Sequence, residues 1–426
     1  MCIIFFFALR FLYMLNFKKH VLDNGLTLLV VEDGSTPMVS LNTLYGVGSR
    51  DESPSRTGFA HLFEHLMFGG TPNVPDFDSV VTSAGGESNA NTGNDFTQYY
   101  LTVPASYLET ALWLESDRMH SLGLSQHSLD VQKSVVTEEY NYRYINQPYG
   151  DVWLHLRPLC YKVHPYRWCT IGTDIRHVAE AQLSDVEEFF NHYYRPNNAI
   201  LAVVGNVKCD EVLRLVEKWY GDIPAGGAVA HNLPAEPAQN GRRSLSVRRD
   251  VPSDAIYMAY HSCGRLDADL EATDMISDIL SNGKSARLYN SLVVKQRLFT
   301  EIDAYITGDI DPGLFVVSGR LAKGVNGKEA IQAVQYELNA VATNDIDEHE
   351  LEKVKNKYES TFAYSQYKPL DCAQSLCYYQ WLDRLELVNS EPQLYRRVGA
   401  DDIHRVASTM FRDDNLSVLY YGKEEL

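Results

Sequence analysis

Asp185-Val186-Glu187-Glu188-Phe189-Phe190, with Tyr194-Arg195-Pro196-Asn197-Asn198 behind it and an apolar run ending at Gly205, has a second copy in the chain. The copy reads Asp402-Ile403-His404-Arg405-Val406-Ala407, then Phe411-Arg412-Asp413-Asp414-Asn415, then Gly422, at a constant offset of 217 residues. Each copy is a helix, a polar turn, a strand and a glycine. Repetition at that distance marks a duplicated unit of about 200 residues. Between the copies, 222–243 gathers Pro224, Gly226-Gly227, Pro234, Pro237 and Gly241 with few large apolar residues, which is linker composition. The expected division is therefore an N-terminal extension (1–14), a first domain (15–221), a linker (222–243) and a homologous second domain (244–426).

Working outward from the repeat, His20 to Glu32 reads as two strands around the turn Asn24-Gly25. Met38 to Gly46 is a further strand, and 88–92 with 95–103 form a hairpin. Helical spacing covers 58–67, 76–84, 108–119, 128–143 and 184–193, the last opening on the capping box Ser184-Asp185-Val186-Glu187. Strands at 244–249 and 255–261 restart the pattern after the linker. The pattern predicts an α+β fold of two homologous domains, each a mostly antiparallel sheet covered by helices.

The 426 residues are 45% apolar and 22% charged, the composition of a folded chain with two or three cores. A net charge of −18 argues against nucleic acid as a partner and suits basic peptides. Seven scattered cysteines without a C-x-x-C pair remove thiolate zinc sites and thioredoxin-like redox chemistry. They read as reduced thiols, which favours a cytoplasmic location. The apolar run Met1 to Met14 is broken by Arg10, has no basic start and no small-residue cleavage site, and is short for a membrane span. Met14 as the true start explains it; a periplasmic or membrane-anchored protein is the alternative.

His61-Leu62-Phe63-Glu64-His65 lies in one of the helical stretches. Positions three and four apart share a helix face, so His61, Glu64 and His65 stand together. The pattern is the inverted form of the zinc-peptidase box. Phe59, Leu62, Phe63 and Leu66 already supply a packing face, so packing does not require three polar groups on the other strip. A catalytic zinc needs a third protein ligand and an open position for water. Glu138-Glu139 offers adjacent carboxylates on a later helix, pointing about 100° apart, and spacing does not choose between them.

Six stretches together give a resemblance: Leu22 to Leu26, Gly58 to His65, Ser88 to Thr92, Leu114-Glu115-Ser116-Asp117-Arg118-Met119, Val135 to Glu139, and Tyr194 to Asn198. In these the chain resembles the pitrilysin/insulinase family of zinc metallopeptidases, in the two-domain bacterial subgroup related to mitochondrial processing peptidase. The resemblance implies half of a clamshell chamber, one Zn2+ held by His61, His65 and Glu139, and Glu64 as the proton-transfer group. It also implies Glu138 as a near neighbour and an acidic residue behind the ligands at position 132, where this chain has Gln132. Peptide is expected to add as a strand along Asn89, Ala90 and Asn91.

The second domain departs from the pattern. By the register of Gly69-Gly70 with Asn282-Gly283, the box falls on Asp274, Ser277 and Asp278. After Ser285-Ala286-Arg287-Leu288, Val293 and Thr300 stand where family members that complete the site carry an Arg and a Tyr. The expected protein is a zinc endopeptidase subunit working as a heterodimer with a homologue that carries the Arg/Tyr pair. A homodimeric peptidase using Arg297 and Tyr305 and a non-catalytic assembly subunit are the alternatives.

Overall fold

The computed structural model describes residues 14–344 and 346–423; all but Met14 of the expected N-terminal extension lies outside the described residues. The chain has an α+β fold with two mixed sheets. The first holds β1 (Lys18–Val21), β2 (Thr27–Glu32), β3 (Met38–Tyr45), β4 (Glu87–Thr92), β5 (Thr97–Pro104) and β6 (Ala199–Gly205). Their order is β1-β2-β6-β3-β5-β4, antiparallel except for the pair β2–β6. β3 and β6 are buried along nearly their whole length; β6 reads as an apolar run, while β3 carries Ser40, Asn42 and Thr43 among its buried residues. β4, at the edge, alternates exposed and half-buried residues, as expected of a strand with one wet face.

The second sheet holds β7 (Arg243–Arg248), β8 (Ala255–His261), β9 (Phe299–Ile306), β10 (Leu314–Leu321) and β11 (Leu416–Gly422) in the order β7-β11-β8-β10-β9. Only β7–β11 is parallel. Strand for strand this repeats β2-β6-β3-β5-β4, so the duplication read from the sequence is also a duplication of topology.

The compact units are not the contiguous halves that the linker suggested. Of the described residues, one comprises 14–138, 170–232 and 361–391; the other 139–169, 233–360 and 392–423. Two helices account for the exchange. Val152–Cys160, from the first repeat, buries Val152, Leu156 and Cys160 among Ala259, Val316, Leu419 and Tyr421 of the second sheet. Pro369–Trp381, starting 217 residues later, packs on β3 and β6, where the Cys377 thiol donates to the Asn42 and Ile200 carbonyls. Each repeat thus lends the other unit the same helix. The apolar faces choose the sheet, and a linker composition carries no information about that choice. The segment 224–242 is free of helix and strand.

The helices expected from the sequence form at Phe59–Leu66, Phe77–Ser83, Leu108–His120, Gln126–Tyr140 and Leu183–Tyr193. The fourth was expected to reach 143; it gives way to a π-helical turn at Asn141–Ile145. Cys160, Cys169, Cys209, Cys372 and Cys377 are buried, and with Cys263 they are free thiols. Among the described residues no helix is long and apolar enough to cross a membrane.

Candidate metal centre

The helix Phe59–Leu66 starts at Gly58, whose φ of +89° is in the left-handed region. A Cβ there would come within 2.8 Å of the Ile171 carbonyl and 2.9 Å of Val178 Cγ2, so glycine is required. The first turn is held by Glu52, whose buried carboxylate accepts from the Gly58 and Ala60 N–H groups at 2.9 and 2.8 Å. Burial pushes Glu52 well above the usual carboxylate range, against the downward pull of those N–H bonds. Phe59, Leu62, Phe63 and Leu66 face inward. Phe63 stacks on Phe189 and Tyr194 at 4.8 and 5.1 Å between ring centres. That packing leaves His61, Glu64 and His65 half-buried on the opposite strip.

The third group comes from Gln126–Tyr140. The division between the compact units falls between Glu138 and Glu139, inside this continuous helix, so Glu139 is carried on an element rooted in the first unit. Ligand atoms of His61, His65 and Glu139 all lie within 4.8 Å of one another. The two imidazoles are near perpendicular with centres 4.9 Å apart. Glu139 also pairs with Arg143 one turn later, at 2.9 Å. Tetrahedral ligand atoms about 2.0–2.2 Å from a zinc ion stand about 3.3–3.6 Å apart. The set spreads to at most 4.8 Å, about an ångström wider than that, and two imidazoles with one carboxylate are zinc donors by type. The residues fit the metal.

Glu139 thus joins the histidines, while Glu138 is exposed and lines a shallow depression with Asp130, Lys133, Ser134 and Thr137 on another face. Gln132 is half-buried two turns before Glu139, on the same face of the helix. The helix Phe59–Leu66 packs against β4, and the Thr92 hydroxyl donates to Glu64 Oε2. Tyr100 on β5 is raised above the usual phenol value, first by burial and then by the charge of Glu64.

Asn89, Ala90 and Asn91 lie mid-strand in β4, which among the described residues pairs with β5 alone and presents its other edge unpaired. The Asn89 side-chain oxygen accepts from the Ala90 N–H at 2.8 Å. Glu52, Thr92 and Arg143 were assigned no role from the sequence. For Thr92 the signal was available: strand alternation puts it on the face of Ala90.

In the second unit the box positions are satisfied locally. Asp274 accepts from the Tyr395 hydroxyl at 2.7 Å, Ser277 donates to the Asp274 carbonyl at 2.8 Å, and Asp278 accepts from the Asn282 amide. Burial raises Asp278. Among the described residues no second cluster of metal-ligand type forms. Val293 packs against the apolar core and Thr300 donates to the Arg320 carbonyl at 3.3 Å. Arg297 is exposed, and Tyr305 is packed on an apolar cluster, burial pushing it up to about 12.

Residues 28–150 match the family described as Insulinase (Peptidase family M16), and 180–358 match the Peptidase M16 inactive domain. The zinc protease PqqE of Helicobacter pylori is 29% identical over 418 residues, covering 96% of this chain and 93% of that protein. A crystal structure of a protease from Helicobacter pylori superposes with a TM-score of 0.90 at 28% identity, over 96% of this chain and all 100% of the other. The Peptidase M16 inactive domain from Pseudomonas fluorescens shares the fold, with a TM-score of 0.86 at 18% identity over 96% and 98%. The match to the M16 inactive domain falls mostly on the repeat whose box positions are Asp274, Ser277 and Asp278. The chain belongs to the insulinase, or pitrilysin, family of M16 peptidases.

Proposed function

We propose that this chain is the zinc-bearing subunit of an endopeptidase that hydrolyses peptides or unfolded segments. The observation that carries the reading is the convergence of His61, His65 and Glu139 around one point, with Glu64 on the same helix face. Zinc, when bound, would polarise the scissile carbonyl and acidify the attacking water. His61, His65 and Glu139 would hold the metal; Glu64 accepts the proton of the water and returns it to the leaving amine. The open edge of β4 at Asn89, Ala90 and Asn91 orients an extended peptide through backbone bonds, with little demand on its sequence.

Val293 and Thr300 offer neither a cation nor a phenol at the positions expected to clamp substrate. A homologous subunit supplying the Arg/Tyr pair would close the chamber over this site. The test is zinc content and peptide cleavage, alone and with a co-expressed homologue, for wild type and Glu64→Gln. One zinc per chain is expected in both proteins, with hydrolysis falling about 10²–10⁴-fold in the variant. Cleavage by Glu64→Gln at the wild-type rate would refute the role of Glu64. Full activity from the isolated chain would refute the partner requirement.

A further inference from the structure

Thr92 is the last residue of β4, half-buried, and its hydroxyl donates to one oxygen of Glu64. We infer that Thr92 is a positioning residue for Glu64, fixing the carboxylate so that its other oxygen meets the attacking water. This rests on Glu64 being the proton acceptor of the proposed reaction. A glutamate side chain has three rotatable bonds, and ordering it costs conformational entropy. Here that ordering is paid in the resting protein by a hydroxyl on a strand that cannot swing away. β4 is bonded to β5 through residue pairs from Glu87↔Thr102 to Thr92↔Thr97.

The same strand presents the open edge along which a peptide would add, and Ala90 and Thr92 share a face of it. One strand therefore borders the scissile bond and also holds one oxygen of the base, whose backbone lies on the packed helix Phe59–Leu66, so the strand helps to fix the separation of the two. An error of an ångström in such a separation costs about 10²-fold in rate.

Valine keeps the size and β-branching of threonine, so Thr92→Val removes the hydroxyl and leaves a strand-compatible side chain. The expected outcome is kcat lower by about 10–100-fold with zinc content unchanged. KM should stay within about twofold, because the strand edge is intact. Thr92→Ser should recover most of the loss. In crystals of the metal-free proteins, Glu64 should keep its place in wild type and Thr92→Ser and leave it in Thr92→Val. An unchanged kcat in Thr92→Val, a serine variant no better than valine, or an unmoved Glu64 would each overturn the inference. Glu64→Gln, assayed alongside, separates two failures. If it cleaves normally, the reading of Glu64 falls and this inference with it. If it is inactive while Thr92→Val is fully active, only the role of Thr92 falls.

Discussion

The helices Phe59–Leu66 and Leu270–Ser281 hold the same place in a repeated topology and dispose of their polar side chains in opposite ways. In the second, Asp274, Ser277 and Asp278 are absorbed by a tyrosine, a backbone carbonyl and an asparagine nearby. In the first, His61 and His65 converge with Glu139, and Glu64 is held by a side chain from the edge strand. The fold is indifferent to which arrangement it carries, because the buried faces are apolar in both: Phe59, Leu62 and Phe63 in one, Met275, Ile276 and Ile279 in the other. What distinguishes them is whether the polar strip is closed on itself or left convergent.

The sharpest way to break that contrast is to remove one group from each strip. His65→Ala should abolish stoichiometric zinc and, with it, hydrolysis, since two remaining donors do not make a three-ligand site. Asp278→Ala should leave zinc at one per chain. Metal analysis of the two purified variants decides it, and loss of zinc from Asp278→Ala would remove the asymmetry between the two strips.

The contrast extends to the helix that follows the β5 or β10 strand. In the first unit Leu108–His120 buries the pair Glu115 and Arg118, with Thr43 donating to Glu115 at 3.2 Å. The Arg118 guanidinium lies 4.6 Å from the ring centre of Tyr99 and 4.7 Å from that of Phe77. In the second unit Gly327–Thr343 buries Ala330, Ile331, Val334, Leu338 and Val341 instead. Arg118→Ala leaves a buried carboxylate without its cation and should cost about 3–5 kcal/mol of stability. Replacing the pair together, Glu115→Leu with Arg118→Met, should recover most of that, since a buried pair is often no better than well-packed apolar groups. Denaturant unfolding of the single and double variants tests this. A single variant costing less than about 1 kcal/mol would mean the pair is solvated rather than buried.

Much of this was legible in the sequence because it rests on local periodicity. The box, the repeat after Asp185, the Asn24-Gly25 turn and the strands of the first sheet follow from spacing and turn chemistry, whereas β9 and β10 of the second sheet are not among the expected strands. Glu139 was named through the family resemblance; on spacing alone it was level with Glu138. What stayed out of reach was long-range. Glu52 caps a helix that starts six residues later in the chain, and Thr92 meets Glu64 from 28 residues away; no periodicity records such a contact. The exchange of Val152–Cys160 and Pro369–Trp381 is the extreme case. Neither helix is among those expected from the sequence, and only packing assigns each to the sheet that buries it.

Those two exchanged helices differ in how they are fastened, which gives the smallest and most specific effect. Pro369–Trp381 meets its sheet through apolar contacts and the neutral Cys377 thiol. Val152–Cys160 begins after Asp151, whose buried carboxylate accepts from Tyr421 and from Arg249 at 2.7 Å. Burial pushes Asp151 up, but those bonds outweigh it and hold the group below the usual aspartate value. A depressed folded pKa means stabilisation that is fully present above the unfolded value of about 3.9 and is lost as pH falls through the lower folded value. Hydrogen exchange measured across the acid range should therefore show Val152–Cys160 losing protection before Pro369–Trp381. Asp151→Asn should remove the pH dependence of that difference and cost about 1–2 kcal/mol at neutral pH. Equal loss of protection in both helices, in wild type and variant alike, would mean that the carboxylate does not fasten the helix and that the two attachments are alike after all.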